Sequence, residues 1–318
     1  MEPINPPEPT ELHRTVPASG SSLVQPGTTP LSESPFPGMR LKVTHLNRFE
    51  YVDMATDSFN DIRLCPITDR HQHLEYFDLQ LNPKVPVHTY HDFYHNRVDH
   101  FEIIEPHPTL QVESTAIVTT TPESRGEVPP MPMEALLDPN TPENYFDFLT
   151  DSHFVSLEAE VWRETIDILP NGASDIWLDS VKIGQHIFKT FKYLPRSTNA
   201  GTRMIEAMRT RQGVCQDFAH VMLAMCRTQG IPARYVSGYF YNELRKPEDI
   251  EASHAWVEIF LPGYGWKGFD PTHNRLADTR YLKLAVGRDY ADIRPINGAY
   301  RSKGTKLLLV QVRVTLEQ

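Results

Sequence analysis

Partway along this chain the apolar residues change period, and that change limits the fold more than any other property of the sequence. From Leu41 to about Thr121 apolar residues recur at alternate positions, as in Phe77, Leu79 and Leu81, and nearly so in Val112, Ala116 and Val118. Pro, Asn, Asp or Gly ends each piece, so this stretch suits short antiparallel strands packed as a sandwich. Beyond it the period lengthens. Ile176, Trp177, Val181, Ile183, Ile187 and Phe188 fall on one broad helix face, with Ser174-Asp175 placed to cap it and Gly184 its weak position. A second helix is expected from Cys215 to about Thr228, where Phe218, Ala219, Met222, Leu223 and Cys226 share a side with Cys215; Gly230 and Pro232 stop it. Strand-like runs follow at Ala233–Tyr241, His254–Leu261 and Trp266–Asp270, and Pro262-Gly263-Tyr264-Gly265 predicts a hairpin between the last two. A final alternating run, Lys306–Thr315, returns to a sheet. The fold class is α+β.

At 318 residues the chain is twice the usual domain length of about 150 residues, so two domains are expected. Residues 1–38 are rich in Pro, Ser, Thr and Glu and carry no hydrophobic period, so they read as a disordered tail that cannot bury enough apolar surface to offset its ordering entropy. Residues 39–121 form the β-sandwich domain. Residues 122–150, with Pro122, Pro129, Pro130, Pro132, Pro139 and Pro142, read as a linker. Residues 151–318 form the helix-and-strand domain, closed by the Lys306–Thr315 strand.

With 31 basic against 41 acidic residues the net charge is −10, which repels nucleic-acid phosphates and anionic lipid, and no local basic patch offsets it. Three scattered cysteines, Cys65, Cys215 and Cys226, make neither a disulfide framework nor a metal-ligand set. No basic segment precedes an apolar stretch at Met1-Glu2-Pro3, and no apolar run of about 18 residues occurs. The expectation is a cytoplasmic protein that binds neither nucleic acid nor membrane.

Cys215 opens its helix, where unpaired N–H groups and the positive end of the helix dipole favour a thiolate. As a small hydrophobe on the same stripe as Cys226, it also fits a core position. His254 begins a strand whose Ala255, Val257, Ile259 and Leu261 form the plain core face, while His254, Trp256, Glu258 and Phe260 lie on the other. From that position its imidazole can reach the helix start as general base and then acid. Asp270 ends the partner strand, where a carboxylate can accept the imidazole N–H and fix its tautomer.

Four ordered blocks carry a specific resemblance. They are Arg211-Gln212-Gly213-Val214-Cys215-Gln216-Asp217-Phe218-Ala219-His220, Gly230-Ile231-Pro232-Ala233-Arg234-Tyr235-Val236-Ser237-Gly238-Tyr239, His254-Ala255-Trp256-Val257-Glu258, and Gly265-Trp266-Lys267-Gly268-Phe269-Asp270-Pro271-Thr272. Together they closely resemble the core of the bacterial transglutaminase-like superfamily. Tyr51, Asn60, Arg63, Leu64, Pro66, Asp92-Phe93 and Asn96 look like the β-rich N-terminal region that accompanies this core, and Pro295-Ile296-Asn297-Gly298-Ala299-Tyr300-Arg301 looks like the closing segment. The resemblance implies a papain-like core in which Cys215, His254 and Asp270 are the catalytic triad, with no cofactor and no metal. One departure stands out: Tyr94-His95 occupies the place of a small residue and Gly before Asn96, which puts the local turn in question.

The implied chemistry is acyl transfer on a protein or peptide substrate. The Cys215 thiolate attacks an amide carbonyl, His254 protonates the departing amine, and the thioester passes to water or to a second amine. Hydrolysis needs only solvent, whereas cross-linking needs a bound amine, and no lysine-binding tunnel is legible. A peptidase or amidase is therefore expected first, protein-glutamine transamidation second, and a binding module on the same fold third. The Cys215 backbone N–H is the natural oxyanion donor. Asp217, about 200° around the helix from Cys215, is expected to make structural contacts, and His220 tempts a catalytic role only because it shares the matching block. Trp256 and Trp266 either shape the cleft or pack. His71, His73, His91, His95 and His100 read as polar sheet surface rather than a zinc site.

Overall fold

The computed structural model describes residues 38–122, 128–138, 143–195, 197–199, 201–244 and 253–317. The expected tail, apart from Gly38, and parts of the expected linker lie outside the described residues. In chain order the elements are β1 (Arg40–Ile62), β2 (Gln72–Asn82), β3 (His88–His91), β4 (Arg97–Ile103), β5 (His107–Thr120), α1 (Ala159–Ile168), α2 (Ile176–Thr190), β6 (Lys192–Tyr193), α3 (Met204–Thr210), β7 (Gln212–Gly213), α4 (Cys215–Thr228), β8 (Ala233–Phe240), β9 (His254–Leu261), β10 (Gly265–Asp270), β11 (Arg275–Leu276), β12 (Tyr281–Gly287), β13 (Ile296–Arg301) and β14 (Thr305–Leu316). This is the expected α+β class.

The alternating N-terminal segment folds around one long strand. The first half of β1 pairs with β5 on one side and β14 on the other, and after an irregularity between Glu50 and Ala55 its second half pairs with β4 and β13. Such an irregularity bends a strand and lets it serve two sheet layers. Phe49, Tyr51, Ile62, Leu64, Phe101, Ile103, Leu110 and Val112 pack in one apolar cluster around this bend. The Lys306–Thr315 strand, expected to close the helix-and-strand domain, instead lies on β1, with Leu41 opposite Leu316 and Val43 opposite Val314. Alternation identifies a strand but not its partner, because only the pleat is encoded locally.

The second sheet is antiparallel, in the order β11-β10-β9-β8-β12. The hairpin between β9 and β10 forms as expected, its turn using Gly263 at φ +71° and Gly265 at +94°. Helix α4 packs on β8 and β9, burying Phe218, Ala219, Met222, Leu223 and Cys226. Asp175 caps α2 by accepting from the N–H groups of Trp177 and Leu178, at 3.0 and 2.8 Å. Gly184 interrupts the α2 pattern for a reason: a Cβ there would lie 2.3 Å from Cε1 of Phe269.

Both faces of β9 are buried. Beneath the His254 face, Trp256 packs with Val236, Tyr281 and Val286, and Tyr94 of the N-terminal region packs against them. Glu258 on the same face is buried but paired, with Arg234 at 2.6 Å and Lys283 at 2.5 Å; Lys283 also reaches Asp69 of the N-terminal region at 2.8 Å. Edge strand β12 is covered by two side-chain amides. Gln72 accepts from Lys283 N–H and donates to its carbonyl, both at 2.8 Å, and Asn96 does the same to Val286, again at 2.8 Å. Each amide imitates a strand partner and blunts an edge that would otherwise recruit another chain.

The turn that carries Asn96 is intact. Asp92 Oδ1 accepts from the N–H groups of Tyr94 and Asn96, each at 3.0 Å, and His95 takes the left-handed conformation at φ +63° that a glycine adopts without penalty. Among the described residues no helix is long and apolar enough to cross a membrane.

Candidate active site

Cys215 is the first residue of α4, and the segment before it is built to hold it there. Asp217, at the third helical position, folds its carboxylate back to accept from Val214 N–H at 2.8 Å and from Thr198 Oγ1 at 2.6 Å. Gly213 makes room, since a Cβ at that position would lie 2.7 Å from Asp217 Cβ. Burial, opposed by these hydrogen bonds, raises the Asp217 carboxyl above its usual range. Asp217 is thus a helix-start clamp. His220 is fully buried one turn beyond Asp217, accepts from Tyr290 N–H at 3.2 Å and stacks on Phe154. Burial lowers its pKa to about 4, so it is neutral.

His254 begins β9 opposite Gly238, and Asp270 ends β10. Nε2 of His254 lies 2.7 Å from Oδ2 of Asp270, which leaves Nδ1 for the Cys215 thiol, its hydrogen-bonding partner on the other side. Burial works against a charged imidazole, but the Asp270 carboxylate and the Cys215 sulfur outweigh it and raise His254 to about 10. Asp270 is completely buried, yet its donors hold it well below the usual carboxylate range. The structure thus brings all three sequence-predicted residues together.

The three cysteines are free, and only Cys215 is not fully buried. Burial pushes Cys65 up to about 11 and Cys226 to about 12, so both thiols stay protonated at neutral pH.

Two groups at the site had no distinct signal in the sequence. Oδ2 of Asp270 also receives Nδ1 of His273 at 2.7 Å and the Tyr281 hydroxyl at 2.8 Å, while Oδ1 receives the N–H groups of Thr272 and His273 at 2.8 and 3.3 Å. His273 follows Asp270-Pro271-Thr272 directly, so a turn there was its one local clue; Tyr281 arrives from β12, on the far side of β8. The ligand atoms of His254, Asp270 and His273 lie within 4.8 Å of one another, the one such set among the described residues. Its 2.7 Å contacts are those of protons shared with a carboxylate; ligands of tetrahedral zinc, each about 2 Å from the metal, stand about 3.3 Å apart.

The tryptophans divide. Trp256 lies nearly parallel to the His254 ring, with centroids 6.2 Å apart, and backs the imidazole. Trp266 pairs with Phe260 at the other end of β9, under the Arg234 guanidinium, and packs away from the site.

A helix-start cysteine joined to an imidazole and a carboxylate on an antiparallel sheet defines the papain-like class of α+β folds. Within that class, the chain belongs to the transglutaminase-like superfamily. Residues 172–271 match the model of that superfamily, and residues 41–119 match the bacterial transglutaminase-like N-terminal region. An uncharacterized protein of Mycobacterium tuberculosis is 31% identical over 305 residues, covering 86% of this chain and 92% of its own length. A Pseudomonas aeruginosa protein-glutamine gamma-glutamyltransferase is 41% identical over 69 residues, covering 20% of this chain and 10% of its own. The crystal structure of a candidate cysteine protease from Cytophaga hutchinsonii superposes with a TM-score of 0.70 at 21% identity, covering 89% of this chain and 92% of that one, which shows a shared fold.

Proposed function

We propose that the protein is a cysteine-nucleophile enzyme that hydrolyses amide bonds of proteins or peptides through a thioester on Cys215. The observation that carries this reading is His254 hydrogen-bonded to Asp270 on one side and to Cys215 on the other. An imidazole that keeps its proton at neutral pH is the electrostatic partner of a thiolate. The sulfur attacks the carbonyl, and the resulting oxyanion is met by the Cys215 backbone N–H at the helix start. His254 gives its proton to the departing amine, leaving a thioester and a neutral imidazole. Nδ1 then takes a proton from water as the hydroxyl adds to the thioester, and collapse releases the acid and restores the charged pair. Asp270 stays ionised and holds the tautomer.

Transamidation is the second reading, favoured by the named activity of the Pseudomonas relative over its 69 matched residues. It replaces water with an amine and otherwise uses the same steps. Hydrolysis ranks first because water is always present. The working compartment of this reading is the cytoplasm, where a free thiol stays reduced.

Incubation with a peptide library and a labelled amine donor tests both. New peptide termini or ammonia without amine incorporation supports hydrolysis, and amine incorporation supports transamidation. A wild type that alkylates at Cys215 no faster than at Cys65 or Cys226 sinks the enzyme reading and leaves a binding module.

A further inference from the structure

Asp270 Oδ2 is more heavily used than a triad carboxylate requires. It receives His254 Nε2 at 2.7 Å, His273 Nδ1 at 2.7 Å and the Tyr281 hydroxyl at 2.8 Å, while two backbone N–H groups occupy Oδ1. A carboxylate offers about four lone-pair sites to these five donors, so every donor on Oδ2 constrains the others. Tyr281 is buried, and its hydroxyl needs a partner whatever the chemistry. His273 is different: its side chain is 39% exposed, and water could satisfy its Nδ1–H. Instead the ring is turned inward, tilted against Phe240 with centroids 5.0 Å apart and 5.1 Å from the His254 ring. Phe240 also lies 4.7 Å from Tyr281 and 6.0 Å from His254, so one aromatic ring supports all three donors to the same oxygen.

We infer that His273 is a positioning residue, whose Nδ1–H fixes the Asp270 carboxylate in the orientation that holds His254 toward Cys215. The inference rests on the thioester reading above. His273 acts by giving a hydrogen bond from one direction. Without it the carboxylate keeps its charge and its other donors, but Oδ2 is free to rotate toward Tyr281 and the backbone of the Thr272 turn. His254 then loses its fixed line to the sulfur. Because the role requires a donor and not a charge, a neutral amide of similar reach replaces it: Nδ2 of an asparagine side chain occupies nearly the position of a histidine Nδ1.

The test is the rate of Cys215 alkylation by iodoacetamide at neutral pH, which needs no substrate, in the wild-type protein and in His273→Ala, His273→Asn and His254→Ala. Cys65 and Cys226 serve as internal references, and thermal midpoints are measured alongside. The expected result is a three- to tenfold slower reaction at Cys215 in His273→Ala, recovery to within twofold in His273→Asn, and midpoints unchanged in both. A His273→Ala protein that labels like wild type overturns the inference and leaves the thioester reading intact. A folded His273→Asn protein as slow as His273→Ala also overturns it, because the donor is then not what matters. If His273→Ala lowers the midpoint and His273→Asn restores both midpoint and rate, the hydrogen bond acts on the fold rather than on the carboxylate, and the inference fails. If wild-type Cys215 labels no faster than the reference thiols and His254→Ala changes nothing, the thioester reading fails, and this inference falls with it.

Discussion

His254 and Asp270 share a hydrogen bond of 2.7 Å between Nε2 and Oδ2, and Asp270 and the Cys215 sulfur together keep the imidazole protonated up to about pH 10. An unfolded histidine releases that proton near its ordinary value of 6.5. At His254 the folded state then holds a proton that the unfolded state has lost, so this histidine's contribution is full below 6.5 and is lost as pH rises toward 10. A thiolate at Cys215 offsets that proton until the unfolded thiol ionises at about 8.5, and the net fall in stability is confined to about pH 8.5–10. The slope from one proton is at most about 1.4 kcal/mol per pH unit. Urea unfolding across this range should show stability falling with pH in the wild type and a flatter dependence in His254→Gln. Equal slopes would mean that the proton on His254 is not coupled to folding.

Replacing Asp270 by Asn removes the charge that holds the imidazole and offers it an amide in place of a carboxylate. Turnover of a cleavable peptide should fall on the order of 10²- to 10⁴-fold with little change in KM, as for loss of an orienting carboxylate elsewhere. Comparable loss in KM and kcat together would assign Asp270 to substrate binding.

Gln72 and Asn96 each satisfy an N–H and a carbonyl of edge strand β12. Gln72→Ala leaves the Lys283 N–H without its acceptor, although the Lys283 carbonyl keeps the Ile67 N–H at 3.2 Å. Asn96→Ala removes the side-chain partner of both the N–H and the carbonyl of Val286. Each should cost about 1–3 kcal/mol in chemical denaturation. Hydrogen exchange at the Val286 amide should accelerate in Asn96→Ala. Unchanged exchange there would show that the amide does not protect the edge.

At the left-handed position of the Asp92 turn, His95→Gly should stabilise the protein by up to about 1 kcal/mol, because the Cβ penalty at φ +63° disappears. Thermal unfolding measures it, and a destabilised variant would mean that the exposed His95 side chain contributes a contact worth more than the strain.

Gly184→Ala places a methyl group 2.3 Å from a carbon of Phe269, the residue before Asp270. The overpacking should cost about 1–3 kcal/mol, and the displaced β10 should slow Cys215 alkylation. A variant with wild-type alkylation would show that β10 absorbs the shift without moving the carboxylate.

Much of the site was legible because its parts are local. A cysteine at a helix start, a histidine at a strand start and an aspartate at the end of the hairpin partner are each written in a few residues of pattern, and the hairpin register joins two of them. The expected closing strand shows the opposite case: Thr305–Leu316 has the alternation of any half-buried strand, and its pairing with β1 is a contact across most of the chain. The departure at Tyr94-His95 was readable as a question about backbone conformation, and the φ of His95 answers it.

The sequence by itself determined the period of each segment, its caps and turns, and the helix that presents Cys215, since propensity, capping and pleat depend on neighbours within a few residues. Tertiary structure alone decided which strands pair, how Gln72 and Asn96 seal β12, and that His273 and Tyr281 meet His254 on one oxygen of Asp270. Those contacts depend on the packing of distant segments around a shared core, and no local pattern records where such segments meet.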